Sequence, residues 1–576
     1  MTDTARTATP TAAAFDIQAG SAQDPYNREH QIFPKLSANQ LERALAYGRE
    51  EAPEAGSYLF ERGQRGVDFF ICLEGAIEIV AHKDQADADD NTEEVITVHG
   101  PSQFTGELDL FNDRKILVDG RVRPGTRVIR VTREDFPQLV SAETDIGELV
   151  MRAFILRRTG FLVHDQAGAT LAGPKNDGDA LRITRFLRRN GYPLRVVDTD
   201  DPDQAEAFFA DHPTARDKLP VLIHTGNACL SNPSNHEVAN ALGLTEDLDP
   251  DHIYDVAVVG AGPAGLAAAT YAASEGLDTV VIEQEAPGGQ AGTSSKIENY
   301  LGFPTGISGQ ALAGRAWIQA QKFGARFAIS RAIVDMDCDN RPYALQLECG
   351  QRIVTRSVII ASGARYRQLS LDNYDKYEGQ GIHYAATAIE ARLCHDKEVI
   401  VVGGGNSAGQ AAIFLSHHAR HVHILVRSKN LAASMSDYLI QRIDSSARIT
   451  LHTETEITEL HGDPLLDQVT WHDKANGKSE TRDIGNIFVM IGAVPNSDWL
   501  EGCLDRDGKG FVQTGEDCQG NATTSPYATS RPGIYAVGDV RAGSVKRVAS
   551  GVGEGSVVIA SVHQYLAEEA SRAQPA

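Results

Sequence analysis

Two glycine-rich segments each follow a short apolar run and precede an alanine-rich stretch. The first contains Gly260-Ala-Gly262-Pro263-Ala264-Gly265 after Ile253 to Val259. The second contains Gly403-Gly-Gly405-Asn406-Ser407-Ala408 after Glu398 to Val402, with alanine replacing the third glycine. Glycines at this spacing let a strand turn tightly into a helix, whose N-terminal N–H groups can meet a pyrophosphate. The residues of these two turns are therefore predicted to bind two dinucleotides.

The residue that ends the next strand differs between the two units. The first strand, Thr279 to Ile282, leads to Glu283, which is positioned to accept the hydroxyls of an adenosine ribose. The second, Val422 to Val426, leads to Arg427, and Lys429 follows. Cations at this position suit a 2′-phosphate, which favours NADPH over NADH. Two solvated surface side chains are the alternative.

A third signal lies near the C-terminus, where Gly533-Ile-Tyr-Ala-Val precedes Gly538-Asp539 and a helix of small residues, Gly551 to Ala560, follows Arg547. The two glycine turns followed by this third signal give an order of motifs that resembles thioredoxin reductase. In this chain the resemblance runs from about Tyr254 to Tyr565. The resemblance implies FAD as the first dinucleotide, with Asp539 on the ribityl chain. It implies further FAD contacts at Gln284, Gly289, Gln290, Asn299, Gly363, Gly538, Arg547, Val548 and Ala549, and a nicotinamide-nucleotide contact at Gly492.

The redox dithiol of that family is absent. Where thioredoxin reductases carry C-A-T-C and then an acid, this chain reads Ala385-Ala-Thr-Ala388-Ile389. Alanine forms neither a thiolate nor a flavin adduct, so the usual route to a disulfide is missing. Cys394 is the remaining candidate nucleophile, or else an inert buried thiol. Glu390 could replace the lost acid or lie on a solvated helix face, and the catalytic residues are otherwise unassigned.

The front half contains short apolar runs between glycine turns, which predict a small β-roll from Gln31 to about Val140. Phe69 to Gly75 and Phe104-Thr-Gly106-Glu107-Leu108 resemble the cyclic-nucleotide-binding domain. Its phosphate-binding Arg-Ser/Thr-Ala is replaced by Ile116-Leu117-Val118, with Arg114 two residues early and Arg121 five residues late. Losing that charge-assisted bond costs about 1.5–3 kcal/mol. A cyclic nucleotide held by Gly106, Glu107, Leu108 and Arg114, a different ligand, and a structural or dimerising role stay open.

A compact module between Ala180 and Leu244 resembles a thioredoxin or glutaredoxin fold, with Pro220 at the family's cis-proline position. Lys175-Asn-Asp-Gly178 occupies the region where the family has its cysteine pair. The resemblance therefore implies a docking or spacing module that exchanges no disulfides.

Length and composition are those of a multidomain globular protein. The 576 residues predict three to five domains. The net charge of −24 opposes binding to nucleic acid or anionic lipid, and no uncharged apolar stretch reaches membrane-spanning length. The seven cysteines include no C-x-x-C pair, so no metal site is predicted. We expect a cytoplasmic homodimer.

The predicted fold class is multidomain α/β and α+β, comprising the roll, the thioredoxin-like module and two Rossmann-like domains. The predicted divisions are a disordered tail over 1–24, the roll with its trailing helix over 25–165, the module over 166–248, the FAD domain over 249–370 and 496–576, and the NAD(P)H domain over 371–495.

These features predict an oxidoreductase that moves hydride from NADPH to FAD and electrons onward to an acceptor other than thioredoxin. A nucleotide-responsive sensor with incidental turnover is one alternative. A thioredoxin-disulfide reductase that recruits cysteines from elsewhere is the other.

Overall fold

The structure is a computed structural model of the chain. It describes residues 24–82, 93–106, 110, 114–164, 168–174, 177–224, 228–294, 297, 300–378, 381–384, 386, 388–432, 434–463, 465–517 and 519–573. The predicted tail over 1–24 lies almost entirely outside the described residues. No described helix is long and apolar enough to cross a membrane.

The front unit is a β-roll of two four-stranded antiparallel sheets, ordered β1-β8-β3-β6 and β2-β7-β4-β5. Phe69 packs between Phe104 and Phe136, with ring centroids 5.5 and 5.0 Å away, so the first sheet and the helices after the roll share one core. The elements are α1 (Glu29–Ile32), α2 (Ala38–Leu45), β1 (Arg49–Glu51), β2 (Tyr58–Phe60), β3 (Phe69–Glu74), β4 (Ile77–His82), β5 (Glu93–His99), β6 (Phe104–Thr105), β7 (Asp119–Val122), β8 (Arg127–Val131), α3 (Phe136–Ala142) and α4 (Thr144–Val163).

The next unit has one four-stranded sheet in the order β10-β9-β11-β12, with β9 and β10 parallel and β11 antiparallel to both its neighbours. The Leu219–Pro220 peptide bond is cis. Ser234 begins the last helix with a capping box that includes Glu237. The elements are β9 (Ala169–Gly173), α5 (Gly178–Arg189), β10 (Leu194–Asp198), α6 (Pro202–Asp211), β11 (Val221–His224), β12 (Ala228–Ser231) and α7 (Asn235–Ala241).

The third unit begins a seven-stranded sheet, six of whose strands lie in the order β15-β14-β13-β18-β17-β16. The seventh strand comes from the end of the chain. Strands β13, β14, β15 and β18 are parallel, and β16 and β17 form an antiparallel hairpin at one edge. The central strands are almost wholly apolar because helices cover both faces of a parallel sheet. The elements are β13 (Ile253–Val259), α8 (Pro263–Ser274), β14 (Thr279–Glu283), α9 (Gly309–Lys322), β15 (Arg326–Ile329), β16 (Ile333–Asp337), β17 (Tyr343–Leu347) and β18 (Arg352–Ile360).

The chain then enters a second Rossmann-like unit, whose five-stranded parallel sheet has the order β20-β27-β21-β22-β23. A three-stranded meander, β24-β25-β26, packs beside it. The entry strand β19 pairs antiparallel with the exit strand β28, forming a two-stranded link. The elements are β19 (Ala364–Tyr366), α10 (Tyr374–Tyr377), β20 (Ile382–His383), α11 (Ala388–Leu393), β21 (Glu398–Val402), α12 (Asn406–Leu415), β22 (His421–Leu425), α13 (Asp437–Asp444), β23 (Ile449–His452), β24 (Thr455–His461), β25 (Gln468–Asp473), β26 (Lys478–Arg482), β27 (Ile487–Val489) and β28 (Ala493–Pro495).

The last segment returns to the third unit. Strand β29 (Ile534–Ala536) adds to its sheet in parallel with β18, and helix α14 (Val548–Ala573) crosses α8. A Cβ on Gly555 would lie 2.2 Å from the carbonyl oxygen of Ala264, so the crossing requires glycine. A Cys338–Cys503 disulfide joins the two halves of this discontinuous unit, with Cα atoms 5.8 Å apart. The predicted fold class, with its roll and two Rossmann-like units, is confirmed.

Candidate functional site

The first glycine turn joins β13 to α8 in a space that side chains would fill. Gly260 has φ +101°, and a Cβ there would lie 2.5 Å from the carbonyl oxygen of Ala361. A Cβ on Gly265 would lie 1.8 Å from the carbonyl oxygen of Gly260. Helix α8 begins at Pro263, after Gly262 in an extended conformation. Its free N-terminal N–H groups therefore lie at the end of the sheet, where an anion can bind.

A second glycine loop lies against this turn. Gly288 donates its N–H to the carbonyl oxygen of Ala261 at 2.7 Å. Gly289 has φ +54°, and a Cβ there would lie 3.0 Å from the Cα of Gly262. Only bare backbone fits where these loops approach one another, and the arrangement fits a pyrophosphate held by main-chain donors. The adjacent Gln290 is exposed, and Asn299 lies outside the described residues.

Glu283 ends β14 beside the first turn, and Gln284 is exposed after it. One carboxylate oxygen of Glu283 accepts from the N–H of Ala261 at 2.7 Å, and the other accepts from the N–H of Glu285 at 2.8 Å. Burial raises the pKa of Glu283, and the two N–H donors oppose the rise. Because each carboxylate oxygen has a further lone pair, the side chain can still accept ribose hydroxyls.

The Gly538–Asp539 turn lies at the N-terminal side of α14. Gly538 has φ +72°, which glycine adopts without strain. Burial raises the pKa of Asp539, although Lys546 opposes the rise. Gly363, between β18 and β19, also has positive φ, at +69°. Arg547 and Ala549 are exposed, and Val548 begins α14.

Glu554 supports this turn, and sequence reasoning missed it. It is 9% exposed, accepts from the N–H of Gly538 at 2.6 Å and pairs with Arg541 at 2.6 Å. The signal available in the sequence was that Glu554 is the single acid in the small-residue stretch from Gly551 to Ala560. Glu554 thus holds the backbone of the turn that carries Asp539.

The second glycine turn joins β21 to α12. Gly403 has φ +141°, and a Cβ there would lie 2.4 Å from the carbonyl oxygen of Met490. Asn406 begins the helix, and its side-chain oxygen accepts from the N–H of Ser436 at 2.8 Å. Ser407 is exposed and Ala408 is buried. Helix α12, which begins after Gly405, also presents its N-terminus to an anion.

The cationic residues after β22 are placed beside that turn. Arg427 and Lys429 are both exposed, and neither forms an ion pair with any residue that the structure describes. Gly492 has φ +93° next to the link strand β28, and its carbonyl oxygen accepts from the N–H of Arg367 at 3.0 Å.

Residues 385–388, predicted to stand where thioredoxin reductases carry their dithiol, contain no cysteine. Ala385 lies outside the described residues, and Ala388 begins α11. Cys394 is 0% exposed, and burial raises the pKa of its thiol to about 12. At neutral pH this group is a protonated core residue, which is a poor nucleophile.

A tyrosine pair, also absent from the sequence reasoning, adjoins this region. The rings of Tyr366 and Tyr384 stack with centroids 5.1 Å apart. The hydroxyl of Tyr384 donates to Glu378 at 2.8 Å. Burial, reinforced by the charge of Asp539, raises the pKa of Tyr366. The stack therefore joins the link strand β19 to the second Rossmann-like unit, on the side that carries Asp539.

The front pocket is only partly described. Gly106 has φ +92°, and a Cβ there would lie 2.3 Å from the carbonyl oxygen of Asp68, while Glu107 and Leu108 lie outside the described residues. Arg114 is 5% exposed and lines a cavity of the roll. Arg121 lies on β7 and pairs with Glu78 and Glu93.

Comparison with known proteins agrees with this geometry. Residues 254–555 match the pyridine nucleotide-disulphide oxidoreductase family, and residues 51–143 match the cyclic nucleotide-binding domain. The thioredoxin reductase of Mycoplasmopsis pulmonis (strain UAB CTIP) is 33% identical over 311 residues, covering 54% of this chain and 96% of that protein. The Mycolicibacterium smegmatis thioredoxin reductase is 33% identical over 325 residues, covering 55% and 98%. The solved thioredoxin reductase of Giardia duodenalis superposes with a TM-score of 0.50 at 25% identity, covering 55% of this chain and 100% of that one.

The chain belongs to the pyridine nucleotide-disulphide oxidoreductase family, in its thioredoxin reductase-like class. It is an FAD-dependent NAD(P)H oxidoreductase that carries a cyclic nucleotide-binding domain in front.

Proposed function

We propose that this protein oxidises NADPH through FAD and passes the electrons to an acceptor other than the disulfide of thioredoxin. The observation that carries the proposal is the loss of both dithiol cysteines at Ala385 and Ala388, together with the buried Cys394 and its pKa of about 12. A bound flavin accepts hydride directly from a nicotinamide, and no thiol is needed for that half of the reaction.

The residues divide the remaining tasks. The turn at Gly260 and the loop at Gly289 hold the flavin pyrophosphate, Glu283 holds the adenosine ribose and Asp539 the ribityl chain. At the second site the N-terminus of α12 holds the nicotinamide-nucleotide pyrophosphate. The exposed Arg427 and Lys429 select the 2′-phosphate of NADPH.

The test has two arms. Anaerobic NADPH should bleach the flavin absorbance, and a protein that holds FAD but stays yellow at saturating NADPH would refute the oxidoreductase proposal. In the second arm, NADPH with a panel of thioredoxins should yield no thiol. Thiol production abolished by Cys394→Ser or Cys338→Ser would show that other cysteines replace the lost pair. The Ala385→Cys/Ala388→Cys variant tests whether the pair is necessary for that activity.

We further infer that the front domain regulates the flavin site through the segment 188–193. Arg189 pairs with Glu285, two residues past Glu283, and donates to the carbonyl oxygen of Gly289 at 3.2 Å. Asn190 donates to the carbonyl oxygen of Glu285 at 3.1 Å. The same segment continues into Gly191 and Tyr192, which line the cavity of the roll. Occupancy of that cavity can therefore bias the loops that hold FAD.

Arg189→Ala tests this route, with the exposed Arg185→Ala on the same helix as its matched control. Because exposed ion pairs contribute about 0.2–1 kcal/mol, the FAD dissociation constant of Arg189→Ala should rise roughly 1.4- to fivefold, and that of the control should be unchanged. Equal FAD retention in both variants would exclude this route.

These contacts also favour a second candidate function, a sensor in which ligand occupancy changes the assembly and turnover is incidental. Steady NADPH consumption with an identified acceptor, unaffected by ligands of the front domain, would contradict the sensor.

We propose a cytoplasmic homodimer as the working form. Tyr271 is 45% exposed and borders an open apolar cavity that Leu312 and Val552 also line, a surface suited to association. Light scattering at micromolar concentration should give twice the mass of one chain, and the mass of one chain would refute the dimer.

A further inference from the structure

The cavity of the roll is lined on one side by the thioredoxin-like module. The empty space in and around it, including open solvent at its mouth, is about 950 Å³. Phe60, Ile96 and Phe161 line it from the roll and its helix α4, and Tyr192 and Leu242 line it from the module. The cavity is therefore a site between two units, and most of its lining is apolar.

One wall of the cavity is aliphatic at the position where the cyclic-nucleotide-binding family has an arginine for the phosphate. Ile116, Leu117 and Val118, which stand in place of the Arg-Ser/Thr-Ala tripeptide, all line the cavity. Ile116 and Val118 are buried in the roll's second core. A phosphodiester against this wall would exchange water for aliphatic carbon, which is unfavourable for a charged group.

Arg114 lines the cavity and also contacts residues outside the roll. Its guanidinium lies 4.3 Å above the ring of Trp317, in α9 of the flavin unit, and donates to the carbonyl oxygen of Asn190 at 3.4 Å. Through these contacts Arg114 connects the roll to the flavin unit and to the thioredoxin-like module.

The other cations that line the cavity also donate to backbone. Arg157 donates to the carbonyl oxygens of Ile32 at 2.8 Å and Phe104 at 3.0 Å. Lys115 donates to that of Ala241 at 3.1 Å, and Arg158 to that of Gly191 at 3.4 Å.

His99 offers a buried hydrogen-bonding atom to a ligand in this cavity. It is 2% exposed, lines the cavity, and its Nδ1 has no hydrogen-bond partner within the part of the chain that the structure describes. Burial, reinforced by the charge of Arg157, lowers the pKa of His99 well below its usual value. The neutral ring carries one donor and one acceptor nitrogen, and a buried nitrogen without a partner is unfavourable.

We propose that this cavity binds an apolar small molecule bearing one hydrogen-bonding group that pairs with His99, and that it does not bind a cyclic nucleotide. The proposal is independent of the flavin chemistry, so turnover is not its readout.

The test titrates the purified full-length protein with N-phenyl-1-naphthylamine, an apolar dye with a single N–H group. Its fluorescence should rise to saturation at one site per chain and be reversed by decanol, but not by cyclic AMP or cyclic GMP. Binding that never saturates, or displacement by a cyclic nucleotide, would overturn the proposal.

Two matched variants locate the dye. Leu117→Trp fills this cavity and should weaken binding more than tenfold. Leu312→Trp fills the separate apolar cavity beside α8 and should leave binding unchanged; the reverse pattern would overturn the assignment. His99→Phe removes the ring nitrogens while keeping an aromatic ring, and should weaken the dye about tenfold; unchanged affinity would show that His99 is not its partner.

A gain-of-function variant tests the aliphatic wall. Ile116→Arg/Leu117→Ser/Val118→Ala restores the missing tripeptide and should bind cyclic AMP while losing the dye. A folded variant, judged by retained flavin, that still binds the dye and ignores cyclic AMP would refute the role of the wall. If the variant does not fold, the competition experiment on the natural chain decides the proposal.

Discussion

Replacing Glu554 by alanine should loosen the turn that carries Asp539. The substitution removes the acceptor of the Gly538 N–H and the partner of Arg541, both at 2.6 Å. An unpaired buried N–H costs about 1–3 kcal/mol, and breaking a buried charge pair costs about 3–5 kcal/mol. Because the side chain of Arg541 is 19% exposed and can recruit water, we expect a total loss near the lower end of that sum, about 4 kcal/mol.

The assay is urea unfolding followed by the rise of flavin fluorescence on FAD release. Glu554→Ala should release FAD at clearly lower urea than the natural chain. Glu568→Ala is the control on the same helix, because Glu568 is half-exposed and pairs only at the surface with Arg572, a contact worth about 0.3–0.5 kcal/mol. If Glu554→Ala released FAD at the same urea concentration as Glu568→Ala, the support of the turn by Glu554 would be refuted.

Three further predictions concern other parts of the chain. Gly260→Ala should abolish FAD retention, whereas Gly276→Ala, with a similar φ of +85° but no atom within 4 Å of the added Cβ, should keep it; equal retention would contradict the crowding argument. Arg427→Ala/Lys429→Ala should raise KM for NADPH about tenfold through loss of charge-assisted bonds and leave KM for NADH unchanged, as steady-state kinetics with both nucleotides will show. Burial lowers the pKa of His423 to about 4, below its unfolded value of about 6.5, so its neutral form stabilises the fold above pH 6.5 and this stability is lost as the pH falls towards 4. His423→Phe should reduce the change of melting temperature with pH between pH 6.5 and 4. If the melting temperature of this variant changes with pH as much as that of the natural chain, another group controls the dependence.

The local motifs were predictable because each depends on residues close together in the chain. A strand that turns tightly into a helix needs glycine at Gly260 and Gly403 whatever surrounds it, and both have positive φ in the structure. The order of the three glycine signals, together with the resemblance they carry, was enough to predict two Rossmann-like units, the second inserted into a discontinuous FAD domain. The absence of cysteine at Ala385 and Ala388 was likewise visible in the letters alone.

Contacts between distant segments were not predictable in this way. Glu554 could be recognised only once α14 lay beside Gly538, and Cys338 could be paired with Cys503 only once the chain had returned, 165 residues later, to the same sheet. Neither pair has a spacing that a local pattern encodes.

The sequence by itself determined the class of chemistry, because pyrophosphate binding and thiol chemistry depend on residue types at short spacing. The tertiary structure alone decided how the units meet. Arg114 has the sequence position of a displaced phosphate ligand, yet it stacks on Trp317, 203 residues away, because the folded chain brings that ring within 4.3 Å and excludes water from both groups. Burial of His99 and the presence of Tyr192 in the wall of its cavity arise in the same way, since solvent exclusion depends on which surfaces pack together and not on the order of residues along the chain.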